Sequence, residues 1–140
     1  MGCDYVERPG DLRGGETIWR ETSVGRMNLK SIVGRVTRSG NGSVGIMAAA
    51  WSDGTPIRSV ELRIDDGEWR PMELVEGGKA THAWKFYRYN WTSPAAGEHT
   101  LVTRATDARG RVQPAKEDPA IKLKKTYWEA NQQYPRKIAL

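Results

Sequence analysis

The sequence contains a single cysteine, Cys3, in 140 residues. One cysteine cannot form a disulfide within the chain, so the fold must be held by a packed hydrophobic core rather than by covalent cross-links. A chain of this length buries roughly two-thirds of the surface that it exposes when unfolded. We therefore expect one domain-sized unit that needs no disulfide.

Long apolar segments are also missing. No run approaches the roughly 18 residues of a membrane-spanning helix. The first 15 residues, MGCDYVERPGDLRGG, lack the apolar core of a signal peptide. We expect a chain that is soluble as written and has no membrane partner.

Residue types that bind metals are few. The two histidines, His82 and His99, and Cys3 have no spacing that would place them together on one loop or one helical face. The sequence pairs no serine with a histidine and a third orienting group, as nucleophilic catalysis would require. We therefore predict no metal site and no catalytic residue in this chain, and we expect His99 to be a surface or rim histidine at the start of a strand.

Positive charge exceeds negative charge only moderately. The chain has 22 Lys and Arg against 17 Asp and Glu, a formal net charge of +5. Its basic residues are scattered, apart from the cluster of Lys122, Lys124 and Lys125. No helix-turn-helix, zinc or stacking-platform signature accompanies them. We expect a solvated basic surface and no nucleic-acid partner.

The sequence does contain a succession of short β patterns, clearest in residues 45–74. The apolar run at 46–51 predicts a buried strand, and the residues SDGTP that follow it predict a turn. From Val60 onward, polar and apolar residues alternate with the period of a half-buried strand. Asp66-Gly67 then predicts a two-residue type I′ turn, with residues 68–74 as the returning strand and Trp69 covering the sheet.

Further strands are predicted at residues 28–37, 83–91, 99–107 and 137–140. In 99–107, Leu101 and Ala105 should share one face. In 83–91 the aromatic residues change phase, which indicates a bulge near Phe86 or a strand covered on both faces. About seven short strands with regular turns, and no amphipathic helix, predict an all-β sandwich.

Residues 1–23 are rich in Gly, Arg and Glu and show little periodicity. We interpret them as an extended arm outside the sandwich, which then comprises residues 24–140.

Tryptophan is abundant where phenylalanine is scarce, with six tryptophans and one phenylalanine. Two interpretations compete. Aromatic rings exposed on a sandwich face could stack on sugars, which would make the chain a secreted carbohydrate- or protein-binding module. Buried rings would instead supply core and interface contacts. The tryptophans are Trp19, Trp51, Trp69, Trp84, Trp91 and Trp128.

Three segments together resemble a known domain. The segment AAAWSDGTPIRSVELRIDDGEWRPMEL, with RMNLKSIV before it and RATDARGRVQP after it, is similar to the C-terminal dimerisation domain of the sulfite oxidase family of molybdenum-cofactor oxidoreductases. The similarity extends from about Arg26 to the end of the chain. It implies an immunoglobulin-like β-sandwich that follows a catalytic domain, pairs two subunits and does not hold the metal.

The resemblance also carries implications for the intact protein. Residues 1–23 would be the remnant of a preceding domain, which a segment resembling MGCDYV closes in the family. That domain would hold the molybdopterin-bound molybdenum through a cysteine of its own, and sulfite oxidation would be its reaction. The partners implied are a second copy of the chain and the catalytic domain, and the location is periplasmic if the protein is like bacterial family members.

Individual residues match the family's motifs. Trp51 and Asp53 lie in the first quoted segment, and Trp84 and Trp91 fall where the dimerisation domain has similar tryptophans. Further matches at structural or interface motifs are Arg104 and Asp107 of the pattern RA-x-D, Gln113 of QP, and Trp128 and Asn131 of the tail. From the residue types, Asp107 should accept hydrogen bonds from the turn that follows it, and Arg104 should pair with a carboxylate or reach a neighbouring domain.

The tail differs from the family at one functional position. In the family, an arginine of this region reaches the sulfite pocket. A lysine, Lys124 or Lys125, would have to replace that arginine, with a point charge instead of a bidentate fork. If residues 121–125 were extended, Lys122 and Lys124 would share one face and Lys125 would point the opposite way. A solvated basic turn is the alternative interpretation of this cluster.

Overall fold

The structure is a computed structural model, and it describes residues 5–13, 16–23, 25–75, 79–124 and 130–140. Ten strands and one short helix follow one another in these ranges. They are β1 Tyr5–Arg13, β2 Glu16–Ser23, β3 Lys30–Arg38, β4 Val44–Trp51, β5 Ile57–Ile64, β6 Arg70–Pro71, β7 Glu73–Leu74, β8 Lys85–Trp91, β9 Glu98–Asp107, α1 Pro119–Lys122 and β10 Arg136–Ala139.

Eight of these strands form two antiparallel sheets, with the orders β3-β4-β8-β7 and β10-β9-β5-β6. A constant-type immunoglobulin sandwich has strands A, B, E and D in one sheet and C, F and G in the other. Here β3, β4, β8 and β7 correspond to A, B, E and D, while β5, β9 and β10 correspond to C, F and G. β6 is an additional edge strand. The predicted all-β, immunoglobulin-like sandwich is confirmed, with eight strands in its described part instead of about seven.

The core lies between the two sheets and consists of side chains at alternating strand positions. In β4, Val44, Ile46 and Ala48 are at most 1% exposed, as the apolar run predicted. In β9, Leu101 and Ala105 are both fully buried, which confirms that they share the inner face. The buried positions of β4 and β9 therefore agree with the pattern of apolar residues in their sequences.

The predicted hairpin exists, but its turn is different. The amide of Gly67 donates to the carbonyl of Ile64, so Asp65 and Asp66 are the central residues of the turn. Asp65 has a φ of 53°, while Asp66 and Gly67 do not have positive φ. The type I′ prediction is therefore wrong, because that turn needs positive φ at both central residues. Asp65 is held in place by its backbone N–H, which donates to the carbonyl of Thr100 at 2.7 Å.

The returning segment is also not one strand. β6 pairs with β5, whereas β7 pairs with β8 in the other sheet. Between them, Met72 is 7% exposed and its amide donates to the carbonyl of Val60 at 2.9 Å. Pro71 fits the edge position of β6 because it has no N–H to give to a further strand. A single segment thus supplies an edge to both sheets.

β8 shows no bulge near Phe86. Its register with β4 is continuous from Val44↔Trp91 to Ala50↔Lys85. Tyr87 is buried, whereas Phe86 is exposed, so the strand is not covered on both faces either. The apparent change of phase arises because Trp84 and Phe86 lie on the outer face and the later aromatic residues on the inner face.

A bulge does occur in β3, between Val33 and Arg35. The guanidinium of Arg136, in β10 of the opposite sheet, donates to the carbonyl of Gly34 at 2.7 Å and to that of Val33 at 3.2 Å. This contact connects the final strand to the first strand of the sandwich at the point where the bulge disturbs the pairing of β3 with β4.

Outside the sandwich sheets, β1 and β2 pair as an antiparallel sheet of their own. α1 is a single helical turn that begins at Pro119, where the missing N–H of proline costs nothing. The carboxylate of Asp118 caps it by accepting from the amide of Ala120 at 2.8 Å. Ile121 and Lys122 are helical, so the face-sharing that an extended 121–125 segment would give does not apply to them, and Lys125 lies outside the described residues.

Candidate functional site

The outer face of the β3-β4-β8-β7 sheet carries a group of apolar side chains. Trp84 stacks on Trp51, with ring centroids 4.8 Å apart and an angle of 20° between the planes. Strand register places Phe86 and Ile32 on either side of Ala49. We call this group the apolar face; its members are Ile32, Met47, Ala49, Trp51, Trp84 and Phe86.

Two members of the apolar face are notably exposed. Trp84 is 52% exposed and Phe86 is 45% exposed. Aromatic residues are enriched at protein interfaces, and contiguous exposed apolar surface marks interaction sites in soluble proteins. The apolar face is therefore a candidate interaction surface, and it includes two of the tryptophans that the sequence singled out.

Charged residues border the apolar face along β7 and β8. The guanidinium of Arg88 makes a bidentate ion pair with Glu73, through Nε at 3.0 Å and Nη2 at 3.1 Å. Both side chains also line a groove of about 550 Å³ that includes Arg35 and Met47. An exposed pair of this kind adds little stability, but it can set the orientation of a partner.

Trp91 and Trp69 lie in environments separate from the apolar face. Trp91 lies edge-on to His99 at 4.9 Å and packs against the core. Trp69 covers the outer face of the second sheet, as predicted, in contact with the guanidinium groups of Arg63 at 4.9 Å and Arg104 at 4.3 Å. Trp128 lies outside the described residues.

Asp53 and Asp107 meet at one arginine that the sequence did not single out. Arg111 Nε donates to Asp107 Oδ2 at 2.6 Å, and its Nη2 donates to Asp53 at 3.1 Å. Asp107 is fully buried, and its Oδ1 also accepts from the amides of Arg109 and Arg111, both at 2.9 Å. The expected acceptance of turn N–H groups by Asp107 is confirmed. We call these three side chains the Arg111 cluster: Asp53, Asp107 and Arg111.

The Arg111 cluster holds both carboxylates ionised. Burial raises the pKa of Asp107, but the hydrogen bonds from Arg111 and from the amide of Arg109 outweigh it, so that pKa lies below its usual range. Hydrogen bonds from Thr55, and then from Arg111, hold the pKa of Asp53 well below its usual range. The cluster thus joins the loop after β4 to the turn after β9.

Gln113 is 1% exposed and acts on β3 as a neighbouring strand would. Its Oε1 accepts from the amide of Ser31 at 2.9 Å, and its Nε2 donates to the carbonyl of the same residue at 3.1 Å. An antiparallel partner bonds both groups of one residue in this way. Oε1 also accepts from Ser31 Oγ and Ala105, and Nε2 donates to the carbonyl of Gln132.

Arg104 lies directly opposite Glu61 across β9 and β5, and its Nε donates to Glu61 Oε2 at 2.8 Å. The prediction that this arginine pairs with a carboxylate is confirmed. Any contact of Arg104 with a neighbouring domain stays a prediction.

Of the two candidate lysines, Lys124 is described and Lys125 lies outside the described residues. Lys124 Nζ donates to Asn131 Oδ1 at 2.5 Å, and Asn131 Nδ2 donates to the carbonyl of Leu29 at 3.0 Å. Lys30 Nζ donates to the carbonyl of Ala130 at 2.8 Å. Lys124 and Asn131 therefore lie beside the segment that enters β3, and they connect the tail to it.

His99 is anchored through both ring nitrogens. Nδ1 lies 2.9 Å from Asp65 Oδ2, and Nε2 lies 3.0 Å from the carbonyl oxygen of Ala95. Because both partners are acceptors, the protonated ring satisfies both contacts, and the hydrogen bond with Asp65 raises the pKa of His99. The same hydrogen bond lowers the pKa of Asp65. This pair fastens the turn after β5 to the start of β9.

The described residues contain no group of three or more His, Cys, Asp or Glu side chains placed to hold a metal ion. In the same part of the chain, no helix has the length and apolar character needed to cross a membrane. The ring of His82 packs on Gly54, where a Cβ would lie 2.6 Å from His82 Cε1, so this histidine has a packing role.

The residues that sequence reasoning missed are the partners of those it found. Arg111 was assigned only to a turn, and Ser31 and Glu61 only to strand positions. Their partners are 82 residues away for Ser31 and 43 for Glu61, so no local pattern could have identified them. For Glu61, the alternation in β5 was the sequence feature that could have helped, because it placed Glu61 on the outer face with Arg63.

Comparison with solved structures finds neighbours of this chain. The chain is similar to a solved structure of the sulfane dehydrogenase SoxCD from Paracoccus pantotrophus, with 25% sequence identity and a TM-score of 0.71. The match covers 96% of this chain but 34% of that chain, so this chain spans about a third of its neighbour's length. No family model and no curated protein sequence matches the chain. At a coarse level, the likeness supports a sulfite-oxidase-like oxidoreductase family.

Proposed function

We propose that this chain is the dimerisation domain of a sulfite-oxidase-like molybdenum-cofactor oxidoreductase, which pairs two subunits and packs against a preceding catalytic domain. The observation that carries this proposal is the match over 96% of this chain to 34% of a dehydrogenase chain. Such coverage is expected of a domain that belongs to a larger enzyme. The motif resemblance quoted above adds the family and the position after the catalytic domain.

The apolar face is the surface that we assign to pairing. In a twofold dimer the same patch is used on both subunits, so it must be self-complementary. The stacked pair Trp51 and Trp84, with Phe86 beside it, offers apolar area at the centre. The Arg88–Glu73 ion pair at the edge offers charges of both signs. This arrangement of an aromatic centre and a polar rim is typical of protein interfaces.

Sedimentation velocity over a wide range of concentrations tests the pairing. The chain should change from monomer to dimer as its concentration rises, and Phe86→Glu should shift this transition to at least tenfold higher concentration, because a carboxylate would be buried at the interface without a partner. Tyr134→Glu is the matched control, since Tyr134 is 62% exposed and is not part of the apolar face.

Two results would remove the assembly role. One is a monomer at every concentration, combined with no twofold crystal contact above roughly 1,000 Å². The other is an equal effect of Phe86→Glu and Tyr134→Glu, which would assign pairing to a different surface.

We assign no part of the cofactor to this chain. The described residues do not fit a metal site, because they bring together no set of three metal-ligating side chains. In the proposed enzyme, molybdopterin and its metal belong to the preceding domain. The contribution of this chain to the chemistry is limited to a residue that could reach the substrate pocket from outside.

Among the described residues, we assign to Lys124 the role of reaching the substrate pocket. Through Asn131 it is connected to Leu29, in the segment that enters β3 and that would follow the preceding domain in sequence. Its hydrogen bond to Asn131 fixes the position of its ammonium group. In an enzyme that includes the preceding domain, Lys124→Met should mainly raise KM for the anionic substrate, while Lys122→Met on α1 should leave it unchanged. Equal kinetics for both variants would contradict this role, and Lys125→Met tests the neighbouring candidate separately.

A secreted sugar- or protein-binding module is the second candidate, and the exposed ring of Trp84 favours it. An aromatic ring on a sandwich face can stack on a sugar. Saturable binding on a glycan array by a chain that stays monomeric, lost in Trp84→Ala, would support this candidate over the dimerisation domain.

A further inference from the structure

A second groove lies on the outer face of the β10-β9-β5-β6 sheet. It has a volume of about 340 Å³, and its walls include Arg63, Trp69, Arg104 and Lys116. We call it the arginine groove. Val102 and Pro135 add apolar surface to it, and it lies on the opposite sheet from the apolar face.

The charges of the arginine groove do not balance. Arg104 is paired with Glu61 at 2.8 Å, and the exposed Glu117 also lines the groove. Against these two carboxylates stand three cations, namely Arg63, Arg104 and Lys116. The groove therefore has an excess of one positive charge, which one carboxylate from outside would neutralise.

Arg63 is the residue with unused hydrogen-bonding capacity. Its Nε is buried and has no hydrogen-bond partner within the described residues, and its guanidinium lies over the ring of Trp69. A ligand in the groove would therefore bind the Nη groups of Arg63 and not the buried Nε. Leaving a charged donor unsatisfied away from water is costly, so an unsatisfied group of this kind needs an explanation, and a ligand that binds the same guanidinium is one. The planar guanidinium fork suits an acceptor with two oxygens.

We propose that the arginine groove binds a carboxylate, with Arg63 as its principal donor. The carboxylate would come either from a small organic acid or from an acidic side chain of a protein partner. The apolar walls at Val102 and Pro135 would contact the carbon atoms that carry it. This inference is independent of the dimerisation role, because the two grooves lie on different sheets.

Two probes distinguish the sources of the carboxylate. One is benzoate, and the other is a nine-residue glycine–serine peptide with one central glutamate, compared with the same peptide carrying glutamine. Calorimetric titrations at constant ionic strength, adjusted with sodium chloride, should show the glutamate peptide binding at least tenfold more tightly than the glutamine peptide if a protein partner is the source. Binding of benzoate alone would assign the groove to a free acid.

Variants then locate the site. Arg63→Gln should reduce carboxylate binding at least tenfold, and Arg63→Lys should reduce it by less because it keeps the charge but loses the fork. Arg58→Gln is the matched control, since Arg58 is an exposed arginine of the same strand and does not line the groove. It should bind as the unaltered chain does.

A spectroscopic readout does not depend on the folding of any variant. In the unaltered chain, the NMR signal of the Arg63 Nε–H should shift on addition of the carboxylate that binds, and that of Arg58 should not. The proposal is overturned if neither probe binds beyond the chloride control, or if Arg63→Gln and Arg58→Gln, both shown to be folded by circular dichroism, bind equally.

Discussion

Buried polar side chains impose the most specific requirements at individual positions of this sandwich. Ser31, Thr103, Asp107 and Gln113 are all at most 1% exposed, and each has hydrogen-bond partners inside the protein. Apolar core positions tolerate other apolar residues of similar volume. In a buried polar network, a substitution that removes one hydrogen-bonding group leaves its partner unsatisfied and lowers stability. These positions are therefore the most informative ones to substitute.

Replacing Gln113 by Met should lower the free energy of unfolding by about 2–5 kcal/mol. The substitution keeps the volume but leaves the amide and the carbonyl of Ser31 without partners, and each unsatisfied buried group costs about 1–3 kcal/mol. Urea denaturation followed by circular dichroism measures the change. Thr103→Val is the control, because it removes only the 3.1 Å contact with Ser31 Oγ and should cost about 1 kcal/mol. A loss for Gln113→Met no larger than that for Thr103→Val would contradict the strand-like role of Gln113.

The His99–Asp65 pair should make the stability of the chain depend on pH. The pKa of His99 is raised above 6.5, so its contribution is complete below that pH and is lost as the pH rises through the pKa of the folded state. The pKa of Asp65 is lowered below 3.8, so its contribution is present above that pH and is lost on acidification. The pair therefore stabilises the fold most between pH of about 4 and 6.5.

Thermal unfolding across pH 5–8 measures the histidine part of this effect. Tm should fall with rising pH in the unaltered chain, and His99→Gln should reduce the fall, because glutamine does not titrate. His82→Gln serves as the control for the other histidine. The same slope in all three proteins would show that the pair does not contribute to stability.

The residue-level predictions from sequence succeeded where the cause was local. Asp107 accepts the amides of the turn two and four residues later, a contact that depends only on its place at the end of a strand. The Gln113 network and the Arg111 cluster instead join residues distant in sequence. Folding determines these contacts, so only the structure could reveal them.

At the scale of elements, the loops and turns make the ion pairs that connect distant parts of the chain. The Arg111 cluster connects the loop after β4 with the turn after β9, and the His99–Asp65 pair connects the turn after β5 with the start of β9. Strand positions and faces followed from the hydrophobic alternation, which has a period of two wherever one side is buried. The turn at Asp65-Asp66 did not, because a contact with Thr100 on another strand helps to fix it.

The same reasoning explains why one returning strand was predicted where two exist. Residues 68–74 directly follow the turn and were predicted as its returning strand, and nothing in them shows that β6 and β7 belong to different sheets. The change of sheet occurs at Met72, whose buried side chain and hydrogen bond to Val60 are tertiary features. Sequence patterns predict where strands lie, but they do not predict which strands pair with one another.

Arg111→Met should lower the free energy of unfolding by about 3–5 kcal/mol, because it leaves the buried charge of Asp107 without its cation. Arg109→Met removes an arginine from the same turn and should cost less than about 0.5 kcal/mol, because only the backbone amide of Arg109 contacts Asp107. Urea denaturation at neutral pH compares the two variants. If they are equally stable, the Arg111 cluster does not hold the two loops together.

At the scale of the molecule, the immunoglobulin-like arrangement leaves two outer faces with opposite character. One sheet presents the apolar face and the other presents the arginine groove, while the tail contacts the beginning of β3 through Lys124 and Asn131. The proposed pairing of subunits and the proposed contact with a catalytic domain would need separate surfaces, and the two outer faces are separate. Family-level reasoning predicted the fold, but it did not identify which face is apolar, because that depends on the side chains at particular strand positions.

The purified chain should contain no stoichiometric molybdenum and should not oxidise sulfite. The physical reason is that a catalytic metal or metal-bound cofactor needs a set of ligands fixed in one place, and the described residues provide no such set. Elemental analysis of the chain produced in a host that makes molybdopterin, together with a sulfite oxidation assay, measures both properties. The matched comparison is the proposed longer protein with a preceding catalytic domain, which on this proposal should bind the cofactor and carry the activity. Tightly bound molybdenum at one atom per chain in the 140-residue protein would overturn the assignment of the chemistry to the preceding domain.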